Sequence, residues 1–244
     1  MILELFKFNA NGAMITRKLL VNIFLTASTV FFYPCSVSGE TIRNQNINSE
    51  SPKVQPQPTN ENKTVVINFS VGVSKESVTL LMQTVSNFMS AGHKDFLLLI
   101  NSDGGDTEAG IAAYNYLSSL PVTIRTHNIS SVKSAATDIY CAGSYRTASP
   151  NSVFLLHNST VTYRSDSTVG QINGLNQWYR FLLNSRLKIF SICAGISEKQ
   201  SKDIYDNESV FNASEAKNVG FVNEVRNVKI ESNVIFVNYD LFKR

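Results

Sequence analysis

Hydrophobic residues from residue 64 onward are grouped into blocks that have the lengths of strands and helices. Short runs rich in β-branched residues or leucine predict strands at 64–69, 96–100, 122–126, 153–156, 221–225 and 234–237. Apolar residues at helical spacing predict helices between them, beginning near residues 74, 106, 134, 172, 197 and 213. Because strands and helices alternate, we expect an α/β fold with right-handed crossovers around a largely parallel sheet.

The amino-terminal residues have a different pattern. Arg17 and Lys18 precede an apolar run at 19–33, and small residues follow up to Gly39. This order is typical of a secretory signal peptide, and the run is shorter than the ~20 apolar residues of a membrane span. We therefore predict a signal peptide at 1–39 and an exported protein, either periplasmic or secreted. The alternatives are an uncleaved membrane anchor through 19–33 and an amino-terminal helix that packs on the domain.

The segment 40–63 is rich in asparagine, glutamine, serine and proline. Such a segment cannot bury enough apolar surface to order itself, so we predict a polar linker followed by one domain at 64–244. With 244 residues, 43% of them hydrophobic, the chain is long enough for a substantial core. A formal net charge of +3 with 17% charged residues gives no electrostatic reason to expect a nucleic-acid partner.

Three segments carry residues that suit acyl transfer. A predicted strand runs into Asn-Ser-Asp-Gly-Gly at 101–105, which suits a tight turn with free backbone N–H groups. Ser134 begins a predicted helix, and His157 ends a predicted strand. A hydroxyl is a poor nucleophile at neutral pH and needs an imidazole to take its proton. It also needs backbone N–H groups aimed at the developing oxyanion, and we expect Gly105 and Ala135 to supply them.

Four segments, in the same order, resemble the Clp protease proteolytic subunit. They are the glycine turn and helix start at 100–111, the nucleophile segment at 132–143, the strand and histidine at 149–157, and the carboxy-terminal pattern at 211–223. The likeness runs from about residue 65 to about residue 225. It implies a crotonase-like spiral of ββα units with a protruding long helix, which the apolar spacing predicts at 172–192.

The resemblance also implies a function, that of a serine endopeptidase. Ser134 would attack a peptide carbonyl, and His157 would carry the proton. The family assembles as rings, here through the predicted helix at 172–192, whose Trp178 and Phe181 are candidate interface residues. We expect a peptide or unfolded protein as substrate, with no cofactor and no metal. Because export would remove ATP and an unfoldase partner, we expect limited cleavage without ATP.

The third catalytic residue is the least certain from sequence. The match at 213–216 places Glu208 where the family has aspartate, and a carboxylate there would orient the imidazole. Asp206 is the neighbouring alternative. Of the other histidines, His127 ends the strand before the serine loop and is the rival base. His93 lies in a polar turn, and we expect it to be solvated.

Three positions depart from the family pattern. The family has a small residue where Lys133 stands, and glycine where Ser130 and Ala136 stand. We expect Lys133 to face away from the site, whereas Ser130 and Ala136 could narrow the substrate channel or tilt the oxyanion site. These departures keep open a catalytically degenerate assembly or binding subunit. An acyl-CoA enzyme of the crotonase superfamily is the other alternative, and export away from coenzyme A disfavours it.

Two cysteines, Cys141 and Cys193, would remain after removal of a signal peptide. Each falls in a predicted helix, and their spacing does not force a disulfide. We therefore predict two buried free thiols.

Overall fold

The structure, a computed structural model, describes residues 2–8, 14–20 and 63–238. The first two ranges form an antiparallel pair of strands, β1 (Ile2–Phe8) and β2 (Met14–Leu20). Most of the predicted signal peptide, including the apolar run beyond Leu20, and nearly all of the linker lie outside the described residues, so these assignments stay predictions. Within the described ranges, no helix is long and apolar enough to cross a membrane.

A parallel sheet forms the centre of the unit at 63–238. Its main path consists of β3 (Thr64–Phe69), β4 (Asp95–Ser102), β5 (Thr123–Lys133), β6 (Tyr145–Ala148), β9 (Glu224–Val225) and β10 (Val234–Asn238). These strands are ordered β10-β3-β4-β5-β6-β9, and each neighbouring pair is parallel, as the sequence predicts. A short strand, β7 (Val153–Leu155), pairs parallel with the end of β5 and antiparallel with β8 (Val210–Asn212).

Six helices accompany the sheet in this unit. They are α1 (Lys75–Ser90), α2 (Thr107–Ser119), α3 (Ala136–Cys141), α4 (Val169–Ala194), α5 (Glu198–Asp206) and α6 (Ala213–Asn218). The predicted start of α1 is confirmed, because the Ser74 hydroxyl accepts the Ser77 N–H at 3.1 Å while the Ser77 hydroxyl accepts the Ser74 N–H at 2.9 Å. The predicted long helix is α4, with 26 residues.

Strand β5 differs most from its prediction. It extends to Lys133 over 11 residues, whereas the apolar pattern predicts only 122–126. Its second half contains Asn128, Ser130 and Ser131, so it lacks the apolar signature of a strand. Backbone pairing with β7 over 131–133 supplies the hydrogen bonds that make this part a strand. Strands β6 and β8 are likewise absent from the prediction, because each is only a few residues long.

An aromatic cluster packs α3 against β7. The ring of Tyr140 lies 5.1 Å from the ring of Phe154, and both rings meet Phe221, at 5.1 and 4.9 Å. All three side chains are fully buried, and the rings meet edge to face, the geometry that aromatic pairs prefer. The cluster therefore fixes the helix that follows Ser134 against the strand that precedes His157.

The prediction of two free thiols is wrong. Cys141, the last residue of α3, and Cys193, in the last turn of α4, form a disulfide with their Cα atoms 5.4 Å apart. The two residues are 52 positions apart in sequence, so their proximity depends on how α3 and α4 pack and not on their spacing.

Candidate active site

Ser134 lies in a turn between β5 and α3. Its φ is +50°, a left-handed conformation that is uncommon for residues other than glycine. Its N–H donates to the Leu155 carbonyl at 2.9 Å, and its own carbonyl accepts the Thr137 hydroxyl at 2.6 Å. The prediction that Ser134 lies in the first turn of the helix is therefore wrong, because α3 begins at Ala136. The turn presents the half-buried serine between a strand and a helix start.

Gly104 lies directly against the serine turn. A Cβ atom at Gly104 would stand 2.7 Å from the Ser134 Cβ and 3.0 Å from the Ala135 nitrogen. Its φ of +88° also favours glycine. The glycine turn thus allows the backbone after β4 to approach the serine more closely than any larger residue would permit.

Gly105 forms a parallel β-bridge with Val73, but its backbone N–H makes no hydrogen bond in that bridge. The Val73 N–H donates to the Gly104 carbonyl at 2.9 Å, and the Asp106 N–H donates to the Val73 carbonyl at 2.8 Å. These two bonds form a parallel bridge between Val73 and Gly105, in which the N–H of Gly105 takes no part. The Ala135 N–H stands at the start of a helix, where backbone donors have no intrahelical partner.

His157 follows β7 and is half-buried. The Leu156 N–H donates to the Ser209 carbonyl at 3.0 Å, which continues the antiparallel pairing of β7 with β8. His157 directly follows Leu156, and Glu208 directly precedes Ser209, so the two residues flank this hydrogen bond. The tertiary structure therefore brings the segments of these two predicted residues face to face.

The two acidic candidates differ in their surroundings. Glu208 is exposed, has a φ of +47°, and donates its N–H to the Tyr205 carbonyl at 3.1 Å. Asp206 accepts hydrogen bonds from the Lys202 ammonium and, at 3.2 Å, from the Asn158 side-chain amide. These bonds, that of Lys202 first, hold the pKa of Asp206 below its usual value. The carboxylate of Asp206 is therefore occupied by Lys202 and by Asn158, the residue after His157.

The rival base His127 is buried and occupied by hydroxyl groups. Its Nδ1 lies 2.7 Å from the Thr147 Oγ1, and its Nε2 lies 3.0 Å from the Ser149 Oγ. Burial, with a smaller effect from the Arg226 charge, lowers the pKa of His127 to about 4. A neutral imidazole with both ring nitrogens engaged in the interior is suited to structure and not to proton transfer.

His93 is not solvated, and that prediction is wrong. Its exposed fraction is 4%, its Nδ1 lies 3.1 Å from the Lys63 carbonyl, and its ring meets the edge of Phe88 at 5.6 Å. The turn that contains His93 folds back beside the start of β3. The polar Gly-His-Lys sequence gives no sign of this burial.

The three departures from the family pattern have separate environments. Lys133 ends β5 and pairs with Asp103 at 2.8 Å, so its ammonium is directed to a surface carboxylate. Ser130 is exposed on β5, and Ala136 is fully buried at the first position of α3.

Sequence reasoning missed an ion pair beneath the candidate site. The guanidinium of Arg186 donates from Nε to the Asp138 carboxylate at 3.0 Å, and each side chain is 1% exposed. Burial raises the pKa of Asp138 to about 6, although the Arg186 charge opposes this rise. No local pattern identifies this pair: Asp138 is the one charged residue in the apolar segment 135–142, but nothing in the sequence singles out Arg186 over its neighbour Lys188 as the partner.

A cleft of about 260 Å³ lies between α2, the segment after His157, and α4. Its walls come from the start of α2, the segment after His157 and the middle of α4, and include Asp106, Ser159, Leu175, Trp178 and Leu182. The hydroxyls of Thr107 and Ser159 lie 2.9 Å apart and join α2 to the segment after His157. The cleft combines an apolar wall from α4 with hydroxyl and carboxylate groups opposite.

Comparison with known proteins gives consistent matches. The family model described as Clp protease matches residues 60–229. The ATP-dependent Clp protease proteolytic subunit 2 of Thermobifida fusca is 29% identical over 134 residues, which are 54% of this chain and 65% of the relative. The protein of the same name from Treponema denticola is 28% identical over 151 residues, 60% of this chain and 70% of the relative. The chain thus spans just under two thirds of the length of the Thermobifida protein.

Among solved structures, a ClpP1 mutant from Listeria monocytogenes superposes with a TM-score of 0.60 at 21% identity. The alignment covers 69% of this chain and 93% of the Listeria chain. This similarity confirms the expected crotonase-like α/β fold.

Proposed function

The chain belongs to the Clp protease family, and from that premise we propose that it is a serine endopeptidase with Ser134, His157 and Glu208 as its triad. One observation carries the proposal: β7 lies between the other two contributing segments. Leu155 accepts the Ser134 N–H on one side, and Leu156 donates to Ser209 on the other. Three residues that are far apart in sequence therefore come from adjacent strand ends.

The proposed reaction follows from the chemistry of these groups. The Ser134 oxygen bonds to the scissile carbonyl carbon while its proton passes to the His157 imidazole, and Glu208 accepts the other imidazole N–H. The C–N bond then breaks, and the departing amine takes the proton from the imidazolium. Water attacks the acyl ester and gives a proton to His157. The bond between the acyl carbon and the Ser134 oxygen then breaks, the imidazolium returns its proton to that oxygen, and the new carboxylic acid leaves.

The oxyanion is proposed to bind two backbone N–H groups, those of Gly105 and Ala135. The Gly105 N–H is left out of the bridge with Val73, and the Ala135 nitrogen lies beside Gly104 at the start of α3. Donors placed in advance stabilise the charge that develops in the transition state and usually contribute the largest single effect.

The substrate is proposed to be an extended peptide or an unfolded segment, with one side chain in the cleft against α4. Leu175 and Leu182 supply apolar surface there, and the carboxylates of Asp106 and Glu108 stand at the start of α2. Such a cleft suits an apolar or aromatic side chain, and the two carboxylates disfavour an acidic one.

Assembly and location are further parts of the proposal. Trp178 and Phe181, with exposed fractions of 47% and 58%, make α4 the surface for a homo-oligomeric ring. Export is supported by the disulfide between Cys141 and Cys193, because disulfides persist in oxidising compartments. An exported enzyme has no ATP, so we propose that cleavage is ATP-independent.

Labelling with a fluorophosphonate tests the proposed function. Only an activated serine displaces fluoride from the reagent, so the wild-type protein should carry one phosphonyl group, mapped to Ser134 by peptide mass spectrometry. The Ser134→Ala variant is the matched control and should carry none. Absence of labelling in the folded wild type would favour a non-catalytic assembly subunit or an acyl-CoA enzyme instead.

A further inference from the structure

Arg186 contacts all three segments that carry the proposed triad. Its Nε donates to Asp138, its Nη1 lies 3.3 Å from the His157 carbonyl, and its Nη2 lies 3.5 Å from the Thr137 hydroxyl. Its guanidinium carbon lies 5.0 Å above the ring of Tyr205. One side chain of α4 therefore touches α3, the segment after β7, and α5.

Apart from the contact with Asp138, each of these contacts leads to a proposed catalytic residue, either directly or through one neighbour. The Thr137 hydroxyl donates to the Ser134 carbonyl at 2.6 Å, and the Tyr205 carbonyl accepts the Glu208 N–H at 3.1 Å. The carbonyl bound by Nη1 belongs to His157 itself. Arg186 is thus linked to the backbone of all three residues, while it lies beneath them and is 1% exposed.

Burial of a charge at this position is costly unless it serves several partners. Replacing a buried ion pair by apolar residues of similar volume is often neutral or stabilising, so such a pair is weak support for a role in stability alone. A planar guanidinium, in contrast, can hold several acceptors in a fixed geometry, which an ammonium cannot do. The contacts of Arg186 match this second use.

We propose that Arg186 is a positioning residue that, with Asp138, sets the separation between Ser134 and His157. The inference rests on the proposed triad. Misplacement of a reacting group by about 1 Å is enough to lower turnover about 100-fold. Arg186 acts through Thr137 and the His157 backbone, and it does not touch the substrate cleft.

Two variants test this role without leaving a buried charge unpaired. Arg186→Lys keeps a charge for Asp138 but has a single ammonium for all the acceptors. Arg186→Met combined with Asp138→Leu removes both charges. We expect kcat for peptide hydrolysis to fall about 10-fold in the first variant and about 100-fold in the second, with KM within about threefold of wild type. Lys188→Met, which removes an exposed charge two residues further along α4, is the matched control and should leave kcat unchanged.

A purely structural role predicts different results. If both variants fold and keep kcat within twofold of wild type, the proposal is wrong. If the double variant does not fold, Arg186→Lys decides alone. A loss that appears only in thermal stability, with normal kcat at a temperature where the variants are folded, also overturns it.

A second measurement separates this inference from the proposed function. Crystal structures of the wild type and Arg186→Lys give the distance from the Ser134 Oγ to the nearer His157 ring nitrogen without any substrate. We expect this distance to increase by about 0.5 Å in the variant, in keeping with its smaller loss of kcat, and an unchanged distance would refute the positioning role. A wild-type protein that does not react with fluorophosphonate would refute the peptidase proposal, while this structural comparison still decides the role of Arg186.

Discussion

The backbone N–H of Ser134 is bonded to the carbonyl of Leu155 at 2.9 Å, two residues before His157, while Ser134 has a φ of +50°. A residue other than glycine in this conformation costs on the order of 1 kcal/mol or more, and it persists where the surrounding structure determines it. Here the end of β7 and the glycine turn at Gly104 hold Ser134 in this conformation. The strained backbone is thus located at the residue proposed to react.

Replacement of Ser134 should separate activity from stability. Both Ser134→Ala and Ser134→Gly should lose peptide hydrolysis, because neither has a hydroxyl. Ser134→Gly should be more stable than Ser134→Ala by about 1 kcal/mol, since glycine adopts positive φ without a steric cost. Urea unfolding of the two variants measures the difference. Equal or reversed stabilities would mean that the turn does not hold Ser134 in a left-handed conformation in solution.

Substitutions at Glu208 and Asp206 should have very different effects. Glu208→Gln should lower kcat by roughly 10⁴-fold, as for other carboxylate-to-amide changes that disturb the catalytic imidazole. Glu208→Asp should retain activity, because aspartate tolerates the positive φ of 47° at this position. Asp206→Asn should be nearly silent, since Asp206 is bonded to Lys202 and Asn158. A severe loss of kcat in Asp206→Asn, together with a mild loss in Glu208→Gln, would mean that Asp206 and not Glu208 orients the imidazole.

His127 should make the protein less stable in acid. Its pKa is lowered from 6.5 to about 4 in the folded state, so the unfolded chain binds a proton first as the pH falls. Its contribution to stability is therefore complete above pH ~6.5 and is lost as the pH falls towards ~4, a change of about 3 kcal/mol. His127→Gln should show a smaller loss of unfolding free energy between pH ~7.5 and ~4.5.

The same His127→Gln variant also tests the choice of base. It should keep near wild-type kcat at pH ~7.5 under conditions where it is folded, whereas His157→Gln should be inactive. If the His127 variant is folded and inactive, the base assignment to His157 is wrong.

Reduction of the disulfide should destabilise the domain. The bond joins residues 52 positions apart, and closing a loop of that size lowers the entropy of the unfolded chain by an amount worth about 4 kcal/mol. We expect a loss of about 2–4 kcal/mol in urea unfolding when a reductant is added. The double variant Cys141→Ala, Cys193→Ala should be equally destabilised and should not respond to reductant. A wild-type protein that is also insensitive to reductant would argue against the bond.

Export should be visible at the amino terminus. If the signal peptide is cleaved, sequencing of the protein from its native host should find a first residue near Gly39 or Glu40, in the membrane-free exported fraction. A protein that keeps the apolar run at 19–33 and remains with the membrane would indicate an anchor. A cytoplasmic protein beginning at Met1 or Met14 would contradict export and reopen the question of an ATP-driven partner.

Local signals in the sequence determined much of the fold. The Ser74 cap predicts the start of α1, the apolar run at 96–100 predicts the core of β4, and the glycine turn at 104–105 predicts where the backbone can approach the serine. Each of these depends on residues within a few positions of one another. The apolar run at 153–156 also predicts the strand that precedes His157, which the structure has as β7.

Only the tertiary structure decided the contacts between distant segments. The sequence favours Glu208 and keeps Asp206 as the alternative, whereas only the tertiary structure brings the segment at 208–209 beside the end of β7, through the hydrogen bond from Leu156 to Ser209. The Cys141–Cys193 disulfide and the Arg186–Asp138 ion pair each join α3 to α4, and neither has a local signature. Burial and charge pairing depend on which surfaces pack together, and a pattern with the period of one helix or strand carries no information about its neighbour.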